Sequence, residues 1–99
     1  MQSHYPIFFK REMGCTVDEW LGWLPQAIGE HTKHQNDSSL MIQIATGTLK
    51  IDWQVLSPRI IGLARIPRLQ VSFEFKDLDD DQRFLFMKRF DLYMHRGGG

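Results

Sequence analysis

Apolar positions change their spacing twice along the chain, which divides it into helical and strand segments. From position 17 to 28, apolar side chains recur at intervals of three and four, the spacing of one buried helical face. From position 40 to 75 they mostly alternate with polar residues, which is typical of strands with one buried face. Helical spacing returns after position 79, so the pattern predicts a run of strands between two helices.

The first helix begins at a strong local signal. Thr16 stands at the N-cap position with Glu19 three residues later, and together they make a capping box. Pro25 interrupts the same apolar face, and its ring would clash with the carbonyl group four residues earlier. We therefore expect a kink or break near Trp23 and two short helices, with Pro25 in the first position of the second.

Proline, glycine and charged residues bound the strand segments. The first segment is predicted to be an edge strand because Pro6 has no N–H group to donate to a ladder. The pairs Thr46-Gly47 and Ser57-Pro58 are each predicted to form a turn. Pro67 marks either a tight turn between two strands or a sharp bend in one long strand. The predicted strand segments are Tyr5 to Lys10, Leu40 to Ala45, Leu49 to Val55, Ile60 to Ile66 and Leu69 to Phe75.

A second helix is predicted from Asp79 to Arg96. Asp79 and the two aspartates after it place negative charge at the positive end of the helix dipole, and Gln82 completes a capping box. Gly97 is predicted to form a left-handed cap, with residues 97–99 as a flexible tail. The predicted fold for residues 1–99 is a single α+β domain. It has an antiparallel meander sheet of four to five strands, with a kinked N-terminal helix and a long C-terminal helix on one face.

The second helix carries more apolar residues than one buried face needs. Leu85 and Leu92 lie seven residues apart outside the core-facing arc of about 120°, and Phe84 lies at its margin. Isolated surface leucines are ordinary. The same three residues also predict an interface, most simply a twofold contact between two copies of the chain. The core-facing stripe consists of Phe86, Met87, Phe90, Tyr93 and Met94.

Composition and charge exclude several functions. The chain has 99 residues, with 12 Lys and Arg against 12 Asp and Glu. A chain of this length forms one core without an interdomain cleft, and the charge balance disfavours a DNA-binding module. The single cysteine, Cys15, and the lack of a signal-peptide pattern predict a cytoplasmic protein. No apolar run approaches the roughly 20 residues that span a bilayer, so membrane insertion is not expected.

Three arginines make a candidate anion site. Arg59, Arg65 and Arg68 lie in a stretch, residues 53–73, that contains no Asp or Glu. Arginine suits bidentate binding of phosphate or carboxylate. Nucleic acid is disfavoured as the ligand because the aromatic residues of these strands are in phase with the buried side. The alternative, which we favour, is that the arginines pair with acidic residues elsewhere, namely Asp77 to Asp81 and Asp91.

A set of aromatic and methionine side chains makes a candidate pocket for an apolar ligand. The predicted order of elements resembles the helix-grip arrangement, in which a long C-terminal helix lies across an antiparallel sheet. That resemblance lies in element order alone, and it implies a cavity between helix and sheet that binds apolar ligands. The alternative is that these side chains form ordinary core. The candidate pocket residues are Trp20, Trp23, Trp53, Phe86 and Met87.

Other chemistry has weak support in the sequence. Glu30, His31 and His34 supply too few ligands for a zinc site. Cys15 is predicted to pack against Trp20 at the helix start, and no histidine stands at a local spacing that would make it a nucleophile. No catalytic residue and no cofactor is therefore predicted.

The function that these observations favour is a small non-catalytic interaction module. It would bind a second copy or another protein through the second helix and an edge strand. The alternatives are a binder of small apolar ligands and an anion-binding or enzymatic site at the three arginines.

Overall fold

Two helices and five strands form an α+β fold, in agreement with the predicted fold class. The computed structural model describes residues 4–96, so the predicted cap and tail at residues 97–99 lie outside the described residues. The elements in chain order are β1 (Phe8–Met13), α1 (Val17–Ile28), β2 (Lys33–Gln35), β3 (Ser39–Ile44), β4 (Gly47–Ile61), β5 (Ala64–Lys76) and α2 (Asp80–Arg96).

All five strands belong to one antiparallel sheet with the order β1-β5-β4-β3-β2. Strands β2 to β5 form a meander, and β1 pairs with β5 at one edge. Alternate residues of β3, β4 and β5 are buried, so one face of the sheet is apolar and the other is polar. Both helices cover the apolar face and contact each other across it.

An aromatic layer between helices and sheet makes the centre of the core. Trp20 of α1 meets Trp53 of β4 edge-on, with ring centroids 5.8 Å apart, and Phe90 of α2 at 6.1 Å. Phe90 in turn meets Phe73 of β5 at 5.4 Å and 87°. Such edge-to-face pairs add to the stabilisation from burial, so both helices are held by the same layer.

Both helix starts have the predicted caps, but the first helix has a different course. Thr16 and Glu19 form the capping box, and Asp79 and Gln82 form a second one with N···O distances of 2.8 and 3.0 Å. The prediction of two short helices is wrong, because α1 continues through Pro25. Pro25 is exposed, whereas Leu24 before it and Ala27 and Ile28 after it are buried in the core. Burial of these side chains stabilises the helix by more than it loses through the hydrogen bond that Pro25, which has no N–H group, cannot donate.

Several strand boundaries also differ from the prediction. The first strand is displaced by three residues, since β1 occupies Phe8–Met13. The short polar strand β2 has no alternation of apolar and polar residues, so it was not predicted from the sequence. The β3–β4 hairpin turns at Ala45 and Thr46, with Ala45 in the left-handed region at φ 50°. Gly47, predicted to lie in the turn, instead begins β4.

The largest correction concerns the Ser57-Pro58 pair, which forms no turn. Strand β4 runs through it to Ile61, the chain reverses at Gly62 with φ 58°, and β5 returns through Pro67. The register shifts between Leu56 and Arg59, so the ladder accommodates the prolines as an irregularity. Of the two alternatives predicted for Pro67, the tight turn between two strands is therefore wrong. Strands β4 and β5 form one long hairpin.

Gly47 is required by a close approach of two backbones. A Cβ atom there would collide with the carbonyl oxygen of Lys76 and lie 2.6 Å from that of Asp77. Because backbone cannot move aside cheaply, Gly47→Ala should destabilise the protein by about 1 to 3 kcal/mol. Urea denaturation measures this change.

Gly22 provides the matched control, since a Cβ at this exposed position of α1 meets nothing within 4 Å. Gly22→Ala should raise the free energy of unfolding by about 0.5 to 1 kcal/mol through helix propensity. Equal stability of the two variants would contradict the close approach at Gly47.

Candidate functional site

The outer part of the β4–β5 hairpin projects beyond the rest of the sheet. Pairing with β3 ends at Asp52, and pairing with β1 ends at Leu69. Residues 55–68, here called the arm, therefore pair only within the β4–β5 hairpin. The arm exposes an unusual number of large apolar side chains: Val55 (64%), Ile60 (61%), Ile61 (58%), Leu63 (106%) and Ile66 (37%).

The two edges of the arm are poor sites for adding another strand. Pro58 lies in one edge strand and Pro67 in the other, and neither residue has an N–H group to donate. Proline on an exposed strand edge blocks pairing with a further chain. The arm can therefore make contacts through its side chains more readily than through its backbone.

Two of the predicted anion-site arginines converge on one carboxylate. Arg59 Nη2 lies 3.2 Å from Glu12 Oε2, and Arg68 Nη1 lies 2.5 Å from Glu12 Oε1. The favoured pairing with the acidic residues near α2 is therefore wrong for Arg59 and Arg68. Among residues 4–96, Arg65 has no ion pair within 4 Å. The arm thus carries three arginines against one neighbouring carboxylate, and a site for a further anion at this pair would have to displace Glu12.

The residues predicted to line an apolar pocket mostly belong to the core. Trp20 and Met87 have no exposed surface, Trp53 is buried in the aromatic layer, and Trp23 is partly buried against it. The indole N–H of Trp20 has no hydrogen-bond partner among the described residues. These side chains therefore form ordinary core, and among them only Phe86 lines the cavity described below.

A cavity of about 340 Å³ lies at the end of the sheet away from the arm. Leu85 and Phe86 of α2 form one wall, and Ile44 and Ala45 at the β3–β4 turn form another. His31 lies edge-on to Phe86 with ring centroids 5.5 Å apart. Gln82 and Arg89 complete the lining. The sequence indicated two of these residues: Leu85, which falls outside the core-facing stripe, and Phe86, one of the candidate pocket residues.

The three predicted interface residues lie in different environments. Leu85 is 68% exposed and Leu92 is 43% exposed, as a surface role requires. Phe84 is partly buried, and its ring lies 6.4 Å from that of Tyr5. Leu85 lines the cavity, whereas Leu92 does not.

A polar network that the sequence did not indicate joins β1 to α2. Arg11 donates two hydrogen bonds to Asp91, of 2.5 and 3.0 Å, and the Tyr5 hydroxyl donates a third of 2.5 Å. The guanidinium of Arg11 also lies 5.3 Å from the ring centroids of Phe9 and Phe73. The partners are 80 residues or more apart in the chain, so no local pattern could reveal them.

Arg83 is the buried charged residue of the core, at 7% exposure. It donates to the carbonyl oxygens of Tyr5 and Leu78, and it forms an ion pair with Asp80. These bonds fix the first turn of α2 against the segment that precedes β1.

Cys15 is in a poor environment for a nucleophile. Cys15 is buried, and its burial together with the Glu19 carboxylate raises the pKa of the thiol to about 11, which disfavours the nucleophilic thiolate. Within residues 4–96, no group of three or more His, Cys, Asp or Glu could hold a metal ion. Neither helix of this range has the length and apolarity needed to cross a bilayer.

Comparison with family models, with curated proteins and with solved structures finds no match to this chain.

The network around Asp91 predicts a loss of stability at alkaline pH. Burial and the hydrogen bond to Asp91 raise the pKa of Tyr5 from 10.0 to about 12. Because the pKa is higher in the folded state, the stabilisation is complete below pH 10 and is lost as the pH rises through 12. The free energy of unfolding should fall more steeply over this range in the native protein than in Tyr5→Phe. Urea denaturation at several pH values measures both slopes, and equal slopes would contradict the assignment.

Proposed function

We propose that this protein is a non-catalytic interaction module that self-associates, with the arm as its contact surface. The observation that carries the proposal is the exposure of five large apolar side chains on a hairpin that has no third strand beside it. Exposed apolar surface concentrated in one projection is a mark of an interaction site. Leu63 at the turn has no contact that shields it from water, since its exposure is 106%.

The location of the apolar residues favours a protein as the partner. They cluster on a structured hairpin, and arginines lie among them. Interface centres are enriched in large apolar residues and arginine.

A cytoplasmic location is part of the proposal, and the free and buried Cys15 supports it.

A second mode of self-association is a twofold contact through α2. The exposure of Leu85 and Leu92 favours it. If this mode holds, Leu85→Asp with Leu92→Asp should give a folded monomer while the arm remains intact. An unchanged oligomeric mass in that variant would exclude it.

The arm is tested by sedimentation equilibrium over a range of protein concentrations. The native protein should show a mass above that of one chain, and Ile60→Ser with Leu63→Ser should reduce it to one chain. Both side chains are more than 60% exposed, so their loss should leave stability nearly unchanged.

Ile7→Ser with Met41→Ser is the matched control, since both residues are exposed apolar positions outside the arm. This variant should associate as the native protein does. A native protein that stays monomeric at all concentrations, or equal effects of the two double variants, would contradict the proposal.

A further inference from the structure

The arm and the apolar cavity lie at opposite ends of the molecule. Ile44 and Ala45 of the cavity precede the first residue of β4, whereas Leu63 follows its last residue. Fifteen residues of strand span roughly 45 Å, close to the longest dimension of 47 Å. The arm therefore cannot reach the cavity of its own chain.

The tip of the arm is apolar on both of its faces. Directly paired residues of an antiparallel ladder point to the same face, and successive pairs point to opposite faces. The pair Ile60 and Arg65 thus lies on one face, and the next pair, Ile61 and Ala64, lies on the other. A flat contact would cover only one of these faces. A concave site would cover both, together with Leu63 at the turn.

The cavity offers such a concave apolar site. Leu85, Phe86, Ile44 and Ala45 supply most of its walls. Its charged lining residue, Arg89, is held toward α1, because its guanidinium donates to the carbonyl oxygen of Gln26 at 3.1 Å.

Acidic residues lie beside the cavity at the start of α2, and basic residues lie on the arm. The arm carries Arg65 without an ion pair among the described residues, besides the two arginines that share Glu12. Asp79 and Asp81, two exposed aspartates of the α2 start, lie just before Gln82 of the cavity lining, whereas Asp80 is paired with Arg83. Complementary charge of this kind steers association and fixes orientation.

We propose that the arm of one copy inserts into the apolar cavity of a second copy, so that copies join head to tail. This inference rests on the proposed self-association and names the surface that receives the arm. The two surfaces differ, so the contact is heterologous: it leaves a free arm at one end and a free cavity at the other. Repetition then gives either a closed ring or an open filament.

Complementation between two variants tests the inference. The arm variant is Ile60→Ser with Leu63→Ser, and the cavity variant is Leu85→Lys, which adds a positive charge facing the arginines of the incoming arm. Leu85 is 68% exposed, so lysine should be tolerated there. Each variant alone should sediment as one chain. An equimolar mixture should form a complex of two chains, since one partner retains an arm and the other retains a cavity.

Ile7→Lys is the matched control, because it adds the same charge at an exposed apolar residue outside both the cavity and the arm, and it should associate as the native protein does. A cavity variant that still associates fully, or a mixture that stays monomeric, would overturn the inference. The former result would leave the proposed self-association standing, whereas a monomeric native protein would remove both.

A second readout tests the location of the contact. In NMR spectra of the isotopically labelled arm variant, addition of the unlabelled cavity variant should shift the amide signals of residues 44–45 and 82–89. Shifts confined to other regions would show that the arm binds elsewhere.

Discussion

Helices α1 and α2 bury the one apolar face of the sheet, and the rest of the structure depends on this burial. The aromatic layer of Trp20, Trp53, Phe73 and Phe90 ties both helices to the sheet. A 12-residue and a 17-residue helix are about 18 and 26 Å long, whereas β4 spans roughly 45 Å. The helices therefore cannot cover β4 and β5 along their whole length. The arm is the part of the hairpin that this mismatch leaves without a cover.

Polar contacts then fix how α2 lies across the sheet. Apolar packing alone tolerates some sliding of a helix, whereas hydrogen bonds with defined geometry do not. Arg83 anchors the first turn of α2, and Asp91 anchors its middle to Arg11 and Tyr5. Both anchors involve the segment that contains β1, an edge strand with only β5 beside it. The same bonds therefore hold the edge strand and orient the helix.

The features that local chemistry determines could be predicted from the sequence, and those that depend on distant partners could not. The capping boxes at Thr16 and Asp79 need only residues three positions apart, and both were predicted correctly. The course of the chain at Ser57-Pro58 depends on pairing with β5, so local turn chemistry was misleading there. Likewise, Glu12 meets Arg59 and Arg68 across 47 and 56 residues. Of the candidate site, the sequence indicated Leu85 by its place on the helical wheel and Phe86 as a candidate pocket residue. The arm was not predicted, because it depends on where β3 and β1 stop pairing with β4 and β5.

The long-range tie between Arg11 and Asp91 has a consequence for synthesis on the ribosome. β1 is made before every other described element, yet its only strand partner is β5 and its side-chain partner lies 80 residues downstream. At a translation rate of about 5 to 20 residues per second, β1 waits roughly 4 to 16 seconds for Asp91 to be added. During that interval Phe9 and Met13 lack the surfaces that later bury them. The nascent chain therefore carries β1 unpaired, with the side chains of Phe9 and Met13 uncovered, until α2 has been made.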